Sequence, residues 1–349
     1  MSYPANSTLR ERTFDRLKKS IAGEKADGHA VFNYYTFPFF QNVTGVKLDE
    51  YFHNPKVTFE TQLEVYEQLA QCGSFAPDPG PVAECGSLGG IVQFDQHGFI
   101  SIKKSGISTL EQALALKPGD PYGDNYMRIA LESLEYMRDH APKGYKVNPP
   151  ICMAPFTICA QLRGVSEFCM DTMLNPAMVQ ALLDVAVETC VNYIKASEKI
   201  LGAPLHHVLM SDDLSSFLNV DGFKQWVMPT YQRIFEQFPQ TQFWLHNDAK
   251  ARHLIALIAD AGYKAWQYAP AIESEQAMER CGGRMSLLGG LSPLELQSMS
   301  EQQTYDTCIE KLKSFGGNNK YVLGVGGSVN QIPVANVMAM FRAADDFKI

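Results

Sequence analysis

The chain has no run of about 18 or more apolar residues, the length a membrane-crossing helix needs. Its start, Met1-Ser2-Tyr3-Pro4 followed by Arg10-Glu11-Arg12, lacks the apolar core of a secretory signal. A cytoplasmic location with no membrane partner is therefore expected. Clustered Lys/Arg runs are missing too, and a net charge of -8 excludes the basic surface that nucleic acid requires. There is no Cys-x-x-Cys pair: Cys72, Cys85, Cys152, Cys159, Cys169, Cys190, Cys281 and Cys308 are scattered, mostly in apolar segments, and read as reduced core thiols. Cys85 is the one most expected to react, because it follows Glu84 in a Gly-rich loop. No Gly-x-Gly-x-x-Gly turn opens a nucleotide-binding unit.

What is present is ample core. The chain has 349 residues, 46% of them hydrophobic, and a mean hydropathy of -0.15. Short apolar runs recur at Ala30–Tyr34, Gly90–Phe94, Pro150–Ala154, His207–Ser211, Phe243–Leu245, Lys264–Tyr268, Met285–Gly289 and Tyr321–Val325. Several are continuous rather than alternating, the pattern of strands buried on both faces. Helical segments lie between them. One begins at Asn175-Pro176 and runs toward Ile200 with Gly202 beyond it; Lys250 to Ala261 precedes Gly262; Glu301 to Phe315 precedes Gly316-Gly317. This alternation predicts an α/β fold, a single (β/α)8 TIM barrel over residues 1–349 with an elaborated N-terminal region. The loop from Phe75 to Gly90 is long enough to be functional.

The densest chemistry is in Phe243-Trp244-Leu245-His246-Asn247-Asp248. Residues i and i+2 of an extended strand project to one face, so His246 and Asp248 leave its carboxyl end side by side. In a barrel, that end builds the active site. The pair reads either as metal ligands or as a His satisfied by an Asp at a helix start. A third ligand comes from Glu84, Asp212 or Asp213, and the sequence does not choose among them. Oxygen ligands in place of thiolates would make a bound zinc harder, suited to polarising an oxygen.

Other strand ends add Ser211-Asp212-Asp213, where one acid serves as a general acid or base and the other caps a helix. Glu84 lies in so apolar a segment that it needs a partner or a raised pKa. Asn33, Tyr34 and Tyr35 follow the first apolar run, and Gln267-Tyr268 ends a later one. Asn33, Tyr35 and Tyr268 are the candidate substrate-binding residues, with packing the ordinary alternative for Tyr. The glycines of Gly324-Val325-Gly326-Gly327-Ser328 let a ligand approach the backbone or simply form a turn. His206-His207 precedes its strand, on the stabilising face, and is discounted as a ligand pair.

These motifs resemble the uroporphyrinogen decarboxylase superfamily, and within it the corrinoid-linked methyltransferases. Arg10-Glu11-Arg12 is similar to the family's first helix, and Val82-Ala83-Glu84-Cys85-Gly86-Ser87-Leu88-Gly89 to a methyltransferase segment with an acid before a small-residue loop. Ala154-Pro155-Phe156-Thr157 with Gly164 resembles a Gly-Pro-Phe-Thr turn, Ser211-Asp212-Asp213 an acidic strand end, and Pro333 with Asn336 a Pro-x-x-Asn helix start. The resemblance implies one (β/α)8 barrel.

Two departures limit what it implies. The decarboxylases carry an Arg-rich N-terminal segment for carboxylates, whereas residues 30–40 hold no arginine. Thiol-methylating members bind zinc through His-x-Cys and a later Cys; here the pair is His246-x-Asp248, and the later position falls among Gly326, Gly327 and Ser328. The implied activity is the partner reaction: a small methylated donor, an aryl methyl ether suited to the aromatic segment Tyr34 to Phe40, gives its methyl to the Co(I) corrinoid of a partner protein. His246 and Asp248, with zinc, stabilise the leaving oxygen, and Asp212 or Glu84 provides the proton, with Asp213 beside them. The chain has no Asp-x-His-x-x-Gly corrinoid-carrying pattern, since Asp95-Gln96-His97 meets Ile100 where Gly belongs. The corrinoid therefore arrives on a separate protein, and a homodimer is a further expected partnership. The alternatives are a decarboxylase of a small or tetrapyrrole acid, whose only carboxylate clamp would be Arg163, and a non-catalytic barrel that binds a small molecule or a corrinoid protein.

Overall fold

The strands of the computed structural model are β1 Val31–Tyr35, β2 Ile91–Phe94, β3 Ile100–Lys103, β4 Cys152–Met153, β5 His207–Ser211, β6 Gln242–Asn247, β7 Ala265–Tyr268, β8 Ser286–Leu291 and β9 Tyr321–Val329. The structure describes residues 8–94, 100–103 and 106–349. Met1 to Pro4 and Asp95-Gln96-His97 lie outside the described residues. The chain divides into two compact units: Met1–Lys47, Glu60–Ser74 and Asn247–Ile349 in the first, Leu48–Phe59 and Phe75–His246 in the second. The division falls inside β6, after His246.

In the first unit, β7, β8, β9 and β1 pair in parallel, Ala265 against Ser286, Leu287 against Tyr321, and Val31 against Leu323. The side chains of β7, β8 and β9 are almost wholly buried, which is why these runs read as continuous rather than alternating. Glu301–Phe315 forms as expected, with a Ser300–Gln303 capping box at its start. The segment 250–261 begins as a 3-10 turn, Arg252–Leu254, before the helix Ile255–Asp260. At the closing helix Val334–Asp346, Asn336 Nδ2 donates to the carbonyls of Leu296 and Met299 at 2.8 and 2.9 Å.

In the second unit, β4, β5 and β6 pair in parallel, with Met153 against Ser211 and Ser211 against His246. The helix Pro176–Leu201 carries Pro at its start and Gly202 in the left-handed conformation (φ 74°) just past its end. It is long and apolar enough to span a membrane by length and composition, but Val179, Leu182, Ala186, Cys190 and Tyr193 are buried within the fold.

The run at Gly90–Phe94 departs from expectation. It becomes β2, which pairs with β3 as an antiparallel hairpin and leaves Ile91 55% and Phe94 40% exposed. A short apolar run does not reveal whether both its faces are covered. The seven remaining strands are parallel and alternate with helices, an arrangement that fits a TIM-like barrel.

Candidate metal centre and active site

Strands β5 and β6 run side by side with Ser211 opposite His246, and both end there in acidic residues. The Asp212 N–H donates to the His246 carbonyl at 3.0 Å, carrying the ladder one residue further. Just beyond, a carboxylate oxygen of Asp213 and a ring nitrogen of His246 come within 4.8 Å of each other, and Asp248 follows His246 two residues along the chain. His246 is buried, Asp213 half-buried and Asp248 exposed.

Of the three acids left open by the sequence, Asp213 is the one that stands beside His246. It begins the 3-10 turn Leu214–Phe217, yet its side chain makes no capping hydrogen bond there. Instead Ser211 Oγ donates to Asp213 Oδ2 at 3.1 Å, orienting the carboxylate. An expected helix cap is therefore a member of the cluster. One imidazole and two carboxylates carry two negative charges, which match a divalent ion, and zinc takes N and O ligands of these kinds. Three such ligands would leave a coordination position open, as catalytic rather than structural zinc sites do. The residues fit the metal.

Asp212 faces elsewhere. It is wholly buried and accepts from Thr157 Oγ1 at 2.7 Å and from the Tyr231 hydroxyl. Burial pushes its carboxyl up to about 6, against the lowering pull of those two donors.

Glu84 lies on the short helix Ala83–Ser87, wholly buried, and accepts the Met153 N–H on Oε1 at 2.9 Å. The next N–H, that of Ala154, donates to Ser211 at 2.8 Å. Successive strand residues direct their amides to opposite sides, so Met153 points away from β5. Its carbonyl accepts from the Cys190 thiol at 3.3 Å. Glu84 and Cys190 thus satisfy the outward edge of β4, as buried backbone groups require. Burial raises Glu84 to about 7, the raised pKa expected of an acid in this segment. Its position at this edge identifies it as a structural partner of β4.

In the first unit, Asn33 Oδ1 accepts from the Val325 N–H at 3.2 Å, and Tyr35 packs on Phe39 with ring centroids 5.2 Å apart. Phe37, Phe39 and Phe40 are buried core, so the aromatic segment offers a ligand only Tyr34 and Tyr35, which are half-buried. Tyr268 is also core: it is wholly buried and its hydroxyl donates to Ser274 Oγ at 2.5 Å. Gly327 has φ +113°, and a Cβ built there would lie 3.0 Å from Asp248 Oδ2. Gly327 therefore approaches Asp248 with bare backbone.

Three further expectations meet the structure. His207 stacks on Trp244, centroids 4.1 Å apart, and burial drives its pKa down to about 3, so it is a packed neutral imidazole. Arg163 is not a surface residue: its Nε donates to the buried Asp171 at 2.8 Å, which commits the one candidate carboxylate clamp. Cys85 is not the reactive thiol. It is 1% exposed and burial lifts its pKa well above the ordinary thiol value, leaving half-buried Cys169 the most accessible of the eight.

Comparison with known proteins extends this picture. The family model described as Uroporphyrinogen decarboxylase (URO-D) matches residues 13–347. A curated protein of Methanosarcina mazei, a methylated-thiol--coenzyme M methyltransferase, is 24% identical over 205 residues, 57% of this chain and 53% of its own. The chain thus spans about half the length of that relative. A solved structure, a methyltransferase from Methanosarcina mazei, superimposes with a TM-score of 0.78 at 20% identity, covering 97% of this chain and 98% of its own. At that identity the likeness is one of fold.

Proposed function

The chain belongs to the uroporphyrinogen decarboxylase family, and from that premise we propose that it is a corrinoid-dependent methyltransferase. It moves a methyl group from a small oxygen-methylated donor, an aryl methyl ether, to the Co(I) corrinoid of a separate partner protein. The observation that carries this function is the approach of Asp213 and His246 to within 4.8 Å just beyond the paired residues Ser211 and His246, with Asp248 two residues further along the chain. The similarity to methyltransferases supports the reaction class.

An ether C–O bond breaks only if the departing oxygen is stabilised. A zinc ion, when bound, supplies the Lewis acidity for that. Asp213, His246 and Asp248 would hold the ion, and Ser211 keeps the Asp213 carboxylate turned. Without thiolates the ligand set favours an oxygen over a sulfur partner, which separates this chain's donor from a methylated thiol. Asp248 is exposed. Asn33, in the middle of β1, and Tyr35, at its carboxyl end, are the residues assigned to the donor's ring, since barrel enzymes build their sites toward strand ends of this kind.

Metal analysis of the purified protein and of His246→Ala, paired with absorbance of Co(I) corrinoid offered a panel of methoxyarenes, tests the assignment. Stoichiometric zinc that is lost in the variant, together with methyl transfer, is the expected result. Failure of every methoxyarene to methylate the corrinoid would sink it.

A further inference from the structure

Asp213 is the one ligand of the cluster that sits on a turn rather than at a strand end, so something must hold its backbone. The residues on either side of it are both tied to Thr157. Thr157 Oγ1 donates to Asp212 Oδ1 at 2.7 Å and accepts from the Leu214 N–H at 3.3 Å. The Tyr231 hydroxyl donates to the other Asp212 oxygen, and Ser215 Oγ donates to the Asp212 carbonyl at 2.9 Å. Thr157 belongs to the helix Pro155–Arg163 and Tyr231 to the helix Met228–Gln237, so one buried carboxylate joins the end of β5 to two helices.

We propose that Asp212, with Thr157 and Tyr231, is a positioning device that fixes the 212–214 turn and presents Asp213 to the metal. Asp212 does not touch the ion; it acts through its neighbour. The inference rests on the metal assignment for Asp213, His246 and Asp248. Its physical basis is general: ligands held by an outer set of hydrogen bonds lose little freedom on binding, and removing such partners typically lowers metal affinity about 10- to 100-fold.

The test compares the whole chain with Thr157→Val, Thr157→Ser, Tyr231→Phe and Asp213→Ala, each checked for folding by circular dichroism. Zinc affinity is read by chelator competition and site geometry by the visible spectrum of the cobalt(II)-loaded protein. Thr157→Val and Tyr231→Phe are expected to lose about 10- to 100-fold in affinity and to change the cobalt spectrum. Thr157→Ser, which keeps the hydroxyl, is expected to recover most of the loss. In an Asp213→Ala background, Tyr231→Phe is expected to add nothing, because both act through one ligand. Folded Thr157→Val and Tyr231→Phe proteins with wild-type affinity and spectrum would overturn the positioning role while leaving the metal site intact. A wild-type chain that takes up neither ion would overturn the metal site, and with it this device.

Discussion

The Met153 N–H points away from its partner strand and ends 2.9 Å from Glu84 Oε1. A helix carboxyl thus stands where a further strand's carbonyl would otherwise be. Removing it strands a buried amide, and Glu84→Ala is expected to destabilise the fold by about 2–4 kcal/mol, measured by urea unfolding. Activity per folded molecule should stay near normal, because Glu84 supports β4 and stands outside the metal cluster.

The same carboxyl makes stability depend on pH. Burial lifts Glu84 from 4.5 to about 7, so the folded state binds its proton more tightly than the unfolded chain does. Its contribution is full below about 4.5 and is lost as pH rises through about 7, a swing on the order of 3 kcal/mol. Asp212, raised from 3.8 to about 6, adds a slope of the same sign. Glu84→Gln should flatten the unfolding free energy between pH 4.5 and 7 and leave the Asp212 share. An unchanged slope would show that Glu84 ionises freely.

Gly327 stands where a side chain would press on Asp248. Gly327→Ala places a Cβ 3.0 Å from Asp248 Oδ2 on backbone with φ +113°. The strain should be about 1–3 kcal/mol, and the displaced carboxylate should weaken zinc binding roughly 10-fold, read by calorimetric titration. Unaltered affinity would mean that Asp248 takes no part in holding the ion.

Tyr268 separates packing from substrate contact. Tyr268→Phe deletes only the hydroxyl that donates to Ser274. A loss of about 1 kcal/mol in stability with no change in donor KM is expected. A KM raised roughly 10-fold or more would return Tyr268 to the substrate site.

Much of the frame was legible because buried parallel strands leave continuous apolar runs, and helix ends carry Pro176, Gly202 and Gly316. His246 and Asp248 were legible as a pair because two-residue spacing on a strand is a local fact. Asp213 was not separable from Asp212: adjacent identical acids differ only in what the fold brings to each, Thr157 and Tyr231 to one and Ser211 to the other. The burial of Tyr268 and Cys85 is illegible for the same reason, since burial by distant segments leaves no mark on the residue itself. Gly90–Phe94 has the composition of a core strand, and only its exposure reveals a hairpin.

Asp213 and His246 are separated by 33 residues of chain, from 213 to 246, yet meet at neighbouring strand ends. An ion between them is therefore also a staple, closing a long loop whose entropy the unfolded chain would otherwise keep. Because the unfolded chain has no such site, the melting temperature should climb with the logarithm of free zinc concentration. The reaction centre and the thermal stability of the fold would then share one ion.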